Sequence, residues 1–336
     1  MKPIVLSLLI LVALAIVPSF DARGAETHHR SDIQIRDPFI LPVAESKTYY
    51  MYCAMPVRLE DGRTRPGVGV YTSTDLQQWQ GPKPVFHFPD PFWADQSVWA
   101  PEVHRYQGKY YLFAAFTSKD KLATPQGRQQ QVKRATQILV SESPEGPFKP
   151  FADKPHTPED WMSLDGTLWV EDGVPYMIFC HEWIQVDDGT MELLPLKDDL
   201  STVAGLPQTL FKASDAKWAR SLHPANGYVT DGPFLYRTHT GRLLMIWSSF
   251  GQNSKYMVGL AYSISGKVTG PWRQMDEPLL AIDGGHGMIF KTFDGRLVLS
   301  IHQPNHGNIR ARLFHLEDLG HTLRIQQEIP LDQTKD

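Results

Sequence analysis

Apolar residues along this chain come in short runs broken by turn signals, and five of those runs open in a similar way. The openings are Ile35-Arg36-Asp37-Pro38-Phe39-Ile40, Trp99-Ala100-Pro101-Glu102-Val103, Leu164-Asp165-Gly166-Thr167-Leu168, Thr230-Asp231-Gly232-Pro233-Phe234 and Gly285-His286-Gly287-Met288-Ile289. Their polar members, Asp37, Glu102, Asp165, Asp231 and His286, are separated by 65, 63, 66 and 55 residues, a period that marks a repeat architecture. Each opening is followed by a second run rich in aromatic and β-branched residues, such as Tyr49-Tyr50-Met51-Tyr52-Cys53 or Leu243-Leu244-Met245-Ile246-Trp247, as strands prefer. Turn signals between first and second runs, among them Glu171-Asp172-Gly173 and Asp294-Gly295, predict hairpins. A third run and a closing segment such as Glu145-Gly146-Pro147-Phe148 or Thr269-Gly270-Pro271-Trp272 complete the unit. Five units of about four strands, with no useful helical periodicity, predict an all-β fold: a five-bladed β-propeller in a single domain. A two-sheet sandwich would leave five matching units of this length unexplained.

Residues 1–25 stand outside this pattern. Lys2, the apolar run Ile4 to Val17, then Pro18 and small residues near Ala22 and Ala25 describe a secretory signal peptide. The run is shorter than the ~20 residues a spanning helix needs, so no membrane association is expected after cleavage. The propeller is therefore assigned to residues 26–336, secreted or periplasmic, and expected to be a monomer. A net charge of −4 and a pI near 6.3 lack the basic footprint that nucleic acid requires, and favour a neutral ligand. The two cysteines, Cys53 and Cys180, fall at equivalent places in the first and third units, which are not neighbours in a ring. Two buried free thiols are expected in spite of the oxidising compartment.

In a propeller the inner strand starts at one mouth and its antiparallel partner returns there. The predicted rim accordingly holds Met55, Thr117, His181, Glu182, Trp183, Ser249, Phe250, His302 and Gln303 beside the five inner-strand starts. Asp-Pro and Asp-Gly are also turn formers, so each Asp alone could simply bond nearby backbone N–H groups. Three converging on one axis suit glycoside hydrolysis better, because one acid must protonate the departing oxygen while a second carboxylate activates water. Neighbouring groups must keep the two pKa values apart.

The five openings, in order over residues 35 to 315, resemble glycoside hydrolase family 43. The resemblance implies an inverting hydrolase with Asp37 as general base and Asp165 as the residue that orients and tunes the proton donor. Asp231 falls at the general-acid position, where the family usually carries Glu; Glu182 and Glu102 are the rival donors. Trp99 resembles an aromatic platform under a sugar ring, with a core Trp wedged between blades as the other reading. Glu102, Trp183, His286 and Arg310 complete the expected sugar-contacting set, Arg312 competing with Arg310, while Trp93 shapes the rim or packs on the surface. His286 matches a position that relatives place on the axis, in some cases next to calcium. One His without a carboxylate cluster is a poor metal signal, so calcium is possible and no cofactor is required. The expected substrates are arabinofuranosyl, xylosyl or related residues of polysaccharides. The alternative is a carbohydrate-binding propeller without catalysis. Exo preference would follow if the Lys119–Arg134 loop closed the pocket.

Overall fold

The aromatic and β-branched runs form strands, and the turn signals between them form hairpins. The computed structural model describes residues 26–222 and 227–331; the segment assigned as a signal peptide lies outside them. Five antiparallel sheets follow one another along the chain. Blade I comprises Phe39–Val43, Thr48–Arg58, Thr64–Ser73 and Gln78–His87, and blade II Ser97–Tyr106, Lys109–Lys121, Val132–Ser141 and Lys149–Pro150. Blade III comprises Ser163–Glu171, Val174–His181, Thr190–Pro195 and Gln208–Lys212. Blade IV runs through Asp231–Arg237, Leu243–Phe250, Tyr256–Ser263 and Trp272–Gln274, and blade V through Gly285–Lys291, Leu297–Gln303, Arg310–Asp318 and Leu323–Ile329. Each inner strand packs on those of the two adjacent blades, and the contact of blade V with blade I closes the ring, a five-bladed propeller.

Among the described residues, no strand is exchanged across the closure. Thr27–His29 instead pairs with the outer strand of blade I, and the turn after it carries Arg30, which is fully buried. Its guanidinium donates to the carbonyls of Ile329 (2.9 Å) and Pro330 (2.6 Å), clasping the start of the ring to its end. The core lies between blades. Trp79, Trp247, Tyr52, Phe113, Phe116 and Phe179 are wholly buried, and cutting such an aromatic back to alanine costs roughly 3–5 kcal/mol. Cys53 and Cys180 are free and buried on the second strands of blades I and III, as the repeat argument expects.

The inner strands share one irregularity that sets the active-site register. Asp37, Ala100, Asp165, Gly232 and His286 all have left-handed φ, between 43° and 57°. The ladder in blades II to V skips at this point, between Trp99 and Glu102, Leu164 and Thr167, Asp231 and Phe234, and Gly285 and Met288. Such a bulge re-aims side chains at a strand start. It also corrects the alignment read from the sequence: the residues equivalent to Asp37, Asp165 and His286 are Ala100 and Gly232. Asp231 stands one position earlier, and Glu102 two positions deeper.

Candidate active site

A cavity of about 760 Å³ opens at the mouth where the inner strands start. Asp37, Asp165, Asp231 and His286 form part of its wall, with Arg36, Met55, Trp99, Glu182, Trp183, Phe250 and Tyr256 around them. The left-handed kinks bring the acids together. Asp165 Oδ2 accepts the backbone N–H of Gly232 at 3.0 Å, tying blade III to blade IV. Nδ1 of His286 lies 3.3 Å from Asp37 Oδ1 and 3.7 Å from Asp165 Oδ2. The backbone N–H of His286 donates to Ser248 Oγ at 2.8 Å. Asp231 Oδ2 accepts from the Tyr256 hydroxyl at 2.9 Å.

Asp37 has a second imidazole beside it. His302 Nδ1 is 3.0 Å from Oδ1, and its Nε2 faces Asn305 Oδ1 at 3.2 Å. Arg36 donates to the same Oδ1 of Asn305 and to its carbonyl, both at 2.8 Å. The backbone N–H of Asp37 donates to His302 Nδ1 at 3.4 Å, while Oδ1 of Asp37 is buried with no hydrogen-bond donor among the described residues.

These surroundings drive the acids apart. Burial alone would raise the Asp37 carboxyl, yet the His286 and His302 imidazoles, with Arg36, hold it well below the ordinary carboxylate range. Burial and the neighbouring Asp165 push Asp231 up to about 7, against the opposing pull of His286 and the Tyr256 hydrogen bond. Asp165 is raised by burial and by Asp37. Near neutral pH one wall of the cavity thus offers a carboxylate that stays ionised and a carboxyl that still carries its proton about half the time, the complement that acid–base hydrolysis needs.

The remaining sequence candidates separate. Trp99 is 42% exposed and lines the cavity, so it is no wedged core residue; its indole lies 4.0 Å from the guanidinium of Arg134. Arg134 also pairs with Glu182 at 2.5 Å. Burial raises the Glu182 carboxyl, with Arg134 opposing, and the ion pair occupies it as a rival donor. Trp183 lines the cavity from the short helix Trp183–Val186. Glu102 does not reach the cavity. It is buried against a closed gap that it lines with Asp37, Phe39, His286 and Met288, and pairs with His104 at 2.9 Å. Arg310 is likewise displaced, donating to the carbonyls of Ser31 and Ile309, and Arg312 pairs with Glu328. The arginine at the mouth is Arg36. Trp93 packs on Phe92 and donates from Nε1 to Gln137, away from the cavity. Of the other rim residues, Thr117, Ser249 and His302 are buried, His181 stacks on Trp161, and Gln303 donates to the carbonyl of Ile282. The Lys119–Arg134 hairpin leans on blade III through an Arg128–Asp187 pair at 2.5 Å and supplies no cavity-lining residue.

Sequence reasoning assigned no role to Tyr256, Asn305, Arg36 or Arg134. As for calcium, the described residues contain no group of three or more His, Cys, Asp or Glu placed to hold a metal, and the carboxylates near His286 are the two of Asp37 and Asp165. The donor set does not fit that ion, and no step below runs through one.

The likeness to known proteins spans the whole propeller. The model of "Glycosyl hydrolases family 43" matches residues 32–328. An endo-arabinase from Bacteroides thetaiotaomicron, solved by crystallography, is 38% identical with a TM-score of 0.75, covering 92% of this chain and 98% of its own. An extracellular exo-α-(1→5)-L-arabinofuranosidase from Cellvibrio japonicus is 25% identical over 327 residues, covering 87% of this chain and 84% of its own. A thermostable family-43 glycoside hydrolase, 21% identical with a TM-score of 0.70, shares the fold. With a family match of this extent and its paired acids on the propeller mouth, the chain belongs to family 43 of the glycosyl hydrolases.

Proposed function

We propose that this glycosidase hydrolyses α-L-arabinofuranosyl linkages with inversion, Asp37 serving as general base, Asp231 as general acid and Asp165 as the group that orients and tunes the donor. One observation carries the assignment of roles: Asp37 is held ionised while Asp231, on the same cavity wall, is pushed up to about 7. Asp37 takes a proton from a water whose oxygen forms the new bond to the anomeric carbon. The glycosidic C–O bond breaks as Asp231 gives its proton to the departing oxygen. A single displacement of this kind inverts the anomeric centre. Trp99 and Trp183 offer apolar faces to a furanose ring.

The choice of arabinose is supported by relatives named arabinanase and arabinofuranosidase, several of them extracellular, which also agrees with action outside the cytoplasm. The test is hydrolysis of aryl α-L-arabinofuranoside, β-D-xyloside and β-D-galactofuranoside by the mature protein, with Asp37→Asn alongside. Turnover of the arabinofuranoside, with the first-formed product inverted by NMR and loss in Asp37→Asn, is expected. Preference for the xyloside would overturn the substrate, and full activity in Asp37→Asn the base. Sugar binding without any turnover would favour the non-catalytic propeller.

A further inference from the structure

Tyr256 opens the third strand of blade IV and is 1% exposed. Its ring is fixed from several sides. It stacks on His302 with centroids 5.5 Å apart and planes 13° from parallel, and tilts against Phe250 at 5.2 Å. Its backbone N–H donates to Asp283 Oδ1 at 3.1 Å. Gly285 leaves it room: a Cβ there would fall 2.6 Å from Tyr256 Cε1. A buried phenol needs a partner, and this one has Oδ2 of Asp231 at 2.9 Å. Oδ1 of Asp231 meets no hydrogen-bond partner among the described residues.

We propose that Tyr256 is the positioning residue of the proton donor: by donating to Oδ2 of Asp231 it leaves Oδ1 as the oxygen that carries the proton to the glycosidic bond. The proposal rests on Asp231 being that donor. A protonated carboxyl has one O–H and one carbonyl-like oxygen. A phenol fixed as a donor toward Oδ2 matches the form with the proton on Oδ1 and opposes the other. The same contact pins an acid one methylene shorter than the glutamate of related enzymes. The stack on His302 links it to the imidazole that faces Asp37.

The groups facing Asp231 are Asp165 and the Cys180 thiol from blade III, His286 from blade V, Asp37 from blade I and Tyr256 from its own blade. Of these, Tyr256 lowers the acid, so its hydroxyl can be removed with a defined sign. Tyr256→Phe keeps the ring and its stack. Its alkaline limb of kcat/KM should move to higher pH. Turnover of arabinofuranosides with poor leaving groups should fall on the order of 10–100-fold with little change in KM, the range of a lost hydrogen bond to a titrating group. The loss should shrink as the leaving group improves, since a good one needs less protonation. An unmoved alkaline limb, or a loss equal across leaving groups, in Tyr256→Phe shown folded by circular dichroism would overturn the proposal. Asp231→Asn separates the two readings: if it shows no leaving-group dependence of its own, Asp231 is not the donor, and the failure lies there rather than with Tyr256.

Discussion

Asp231 is a carboxyl that the folded protein keeps protonated well beyond its ordinary range, and this has a cost in stability. For an acid raised by folding, the native state binds its proton more tightly than the unfolded chain does. Its favourable contribution is complete below the ordinary value of 3.8 and is lost as pH rises through about 7. Asp231→Asn never carries the charge. It should therefore be more stable than the parent at pH 8, with the difference closing toward pH 4 in urea midpoints. Its turnover of poor leaving groups should drop by roughly 10²–10⁴-fold, the usual worth of a general acid. A variant destabilised at pH 8 would show that the carboxyl is not under strain there. Asp37, Asp165 and Asp231 were legible in the sequence because Asp before Pro or Gly at a repeat start is a compact, recurring sign. Tyr256 was not: a lone aromatic in an apolar strand looks like core packing, and only its neighbours give it a polar duty. Arg36 and Arg310 show the same limit, since both sit near the joint of blades I and V and only the fold decides which one faces the cavity.

The left-handed start is the device each inner strand uses to aim its side chain. Gly232 is the one position of the five filled by glycine, and it has φ of 48° with His286 pressed against it. Gly232→Ala would pay about 1–2 kcal/mol for the left-handed backbone and would set a Cβ 2.9 Å from the His286 ring. Gly241, at φ of 88° in an open turn with nothing near, isolates the first effect. Both alanine variants should lower the denaturation midpoint, and the Gly232 variant alone should lose activity. Equal activities would mean that His286 tolerates displacement. This bulge also explains where sequence alignment of the repeats slipped. Acidic residues were matched to one another by charge, whereas the backbone matches Ala100 and Gly232 to Asp37. Glu102 was thereby taken for a cavity residue although, two positions further along its strand, it does not line the cavity.

At the scale of the molecule, the propeller and its blade count were readable because each unit repeats the same hairpin grammar and no segment shows a competing period. The way the ring is fastened was not readable, since it depends on Arg30 and on carbonyls some 300 residues away, and nothing in a local pattern marks a buried guanidinium. That fastening has a functional corollary. Four joints of the ring are bridged by continuous chain; the fifth is held by non-covalent contacts alone, among them Arg30, Arg36 reaching Asn305, the Ile35 N–H on the carbonyl of Ile309 at 3.2 Å and the Ser300 hydroxyl on the carbonyl of Pro38 at 3.0 Å. Asp37 stands on this seam. Warming should part it before the sheets themselves melt, so hydrolytic activity should fail at a lower temperature than the far-ultraviolet circular dichroism transition. Arg30→Met should widen that interval. Coincident temperatures in both proteins would mean that the seam is as strong as the blades, and the measured interval is in effect the heat tolerance that the enzyme forgoes by leaving its ring unlaced.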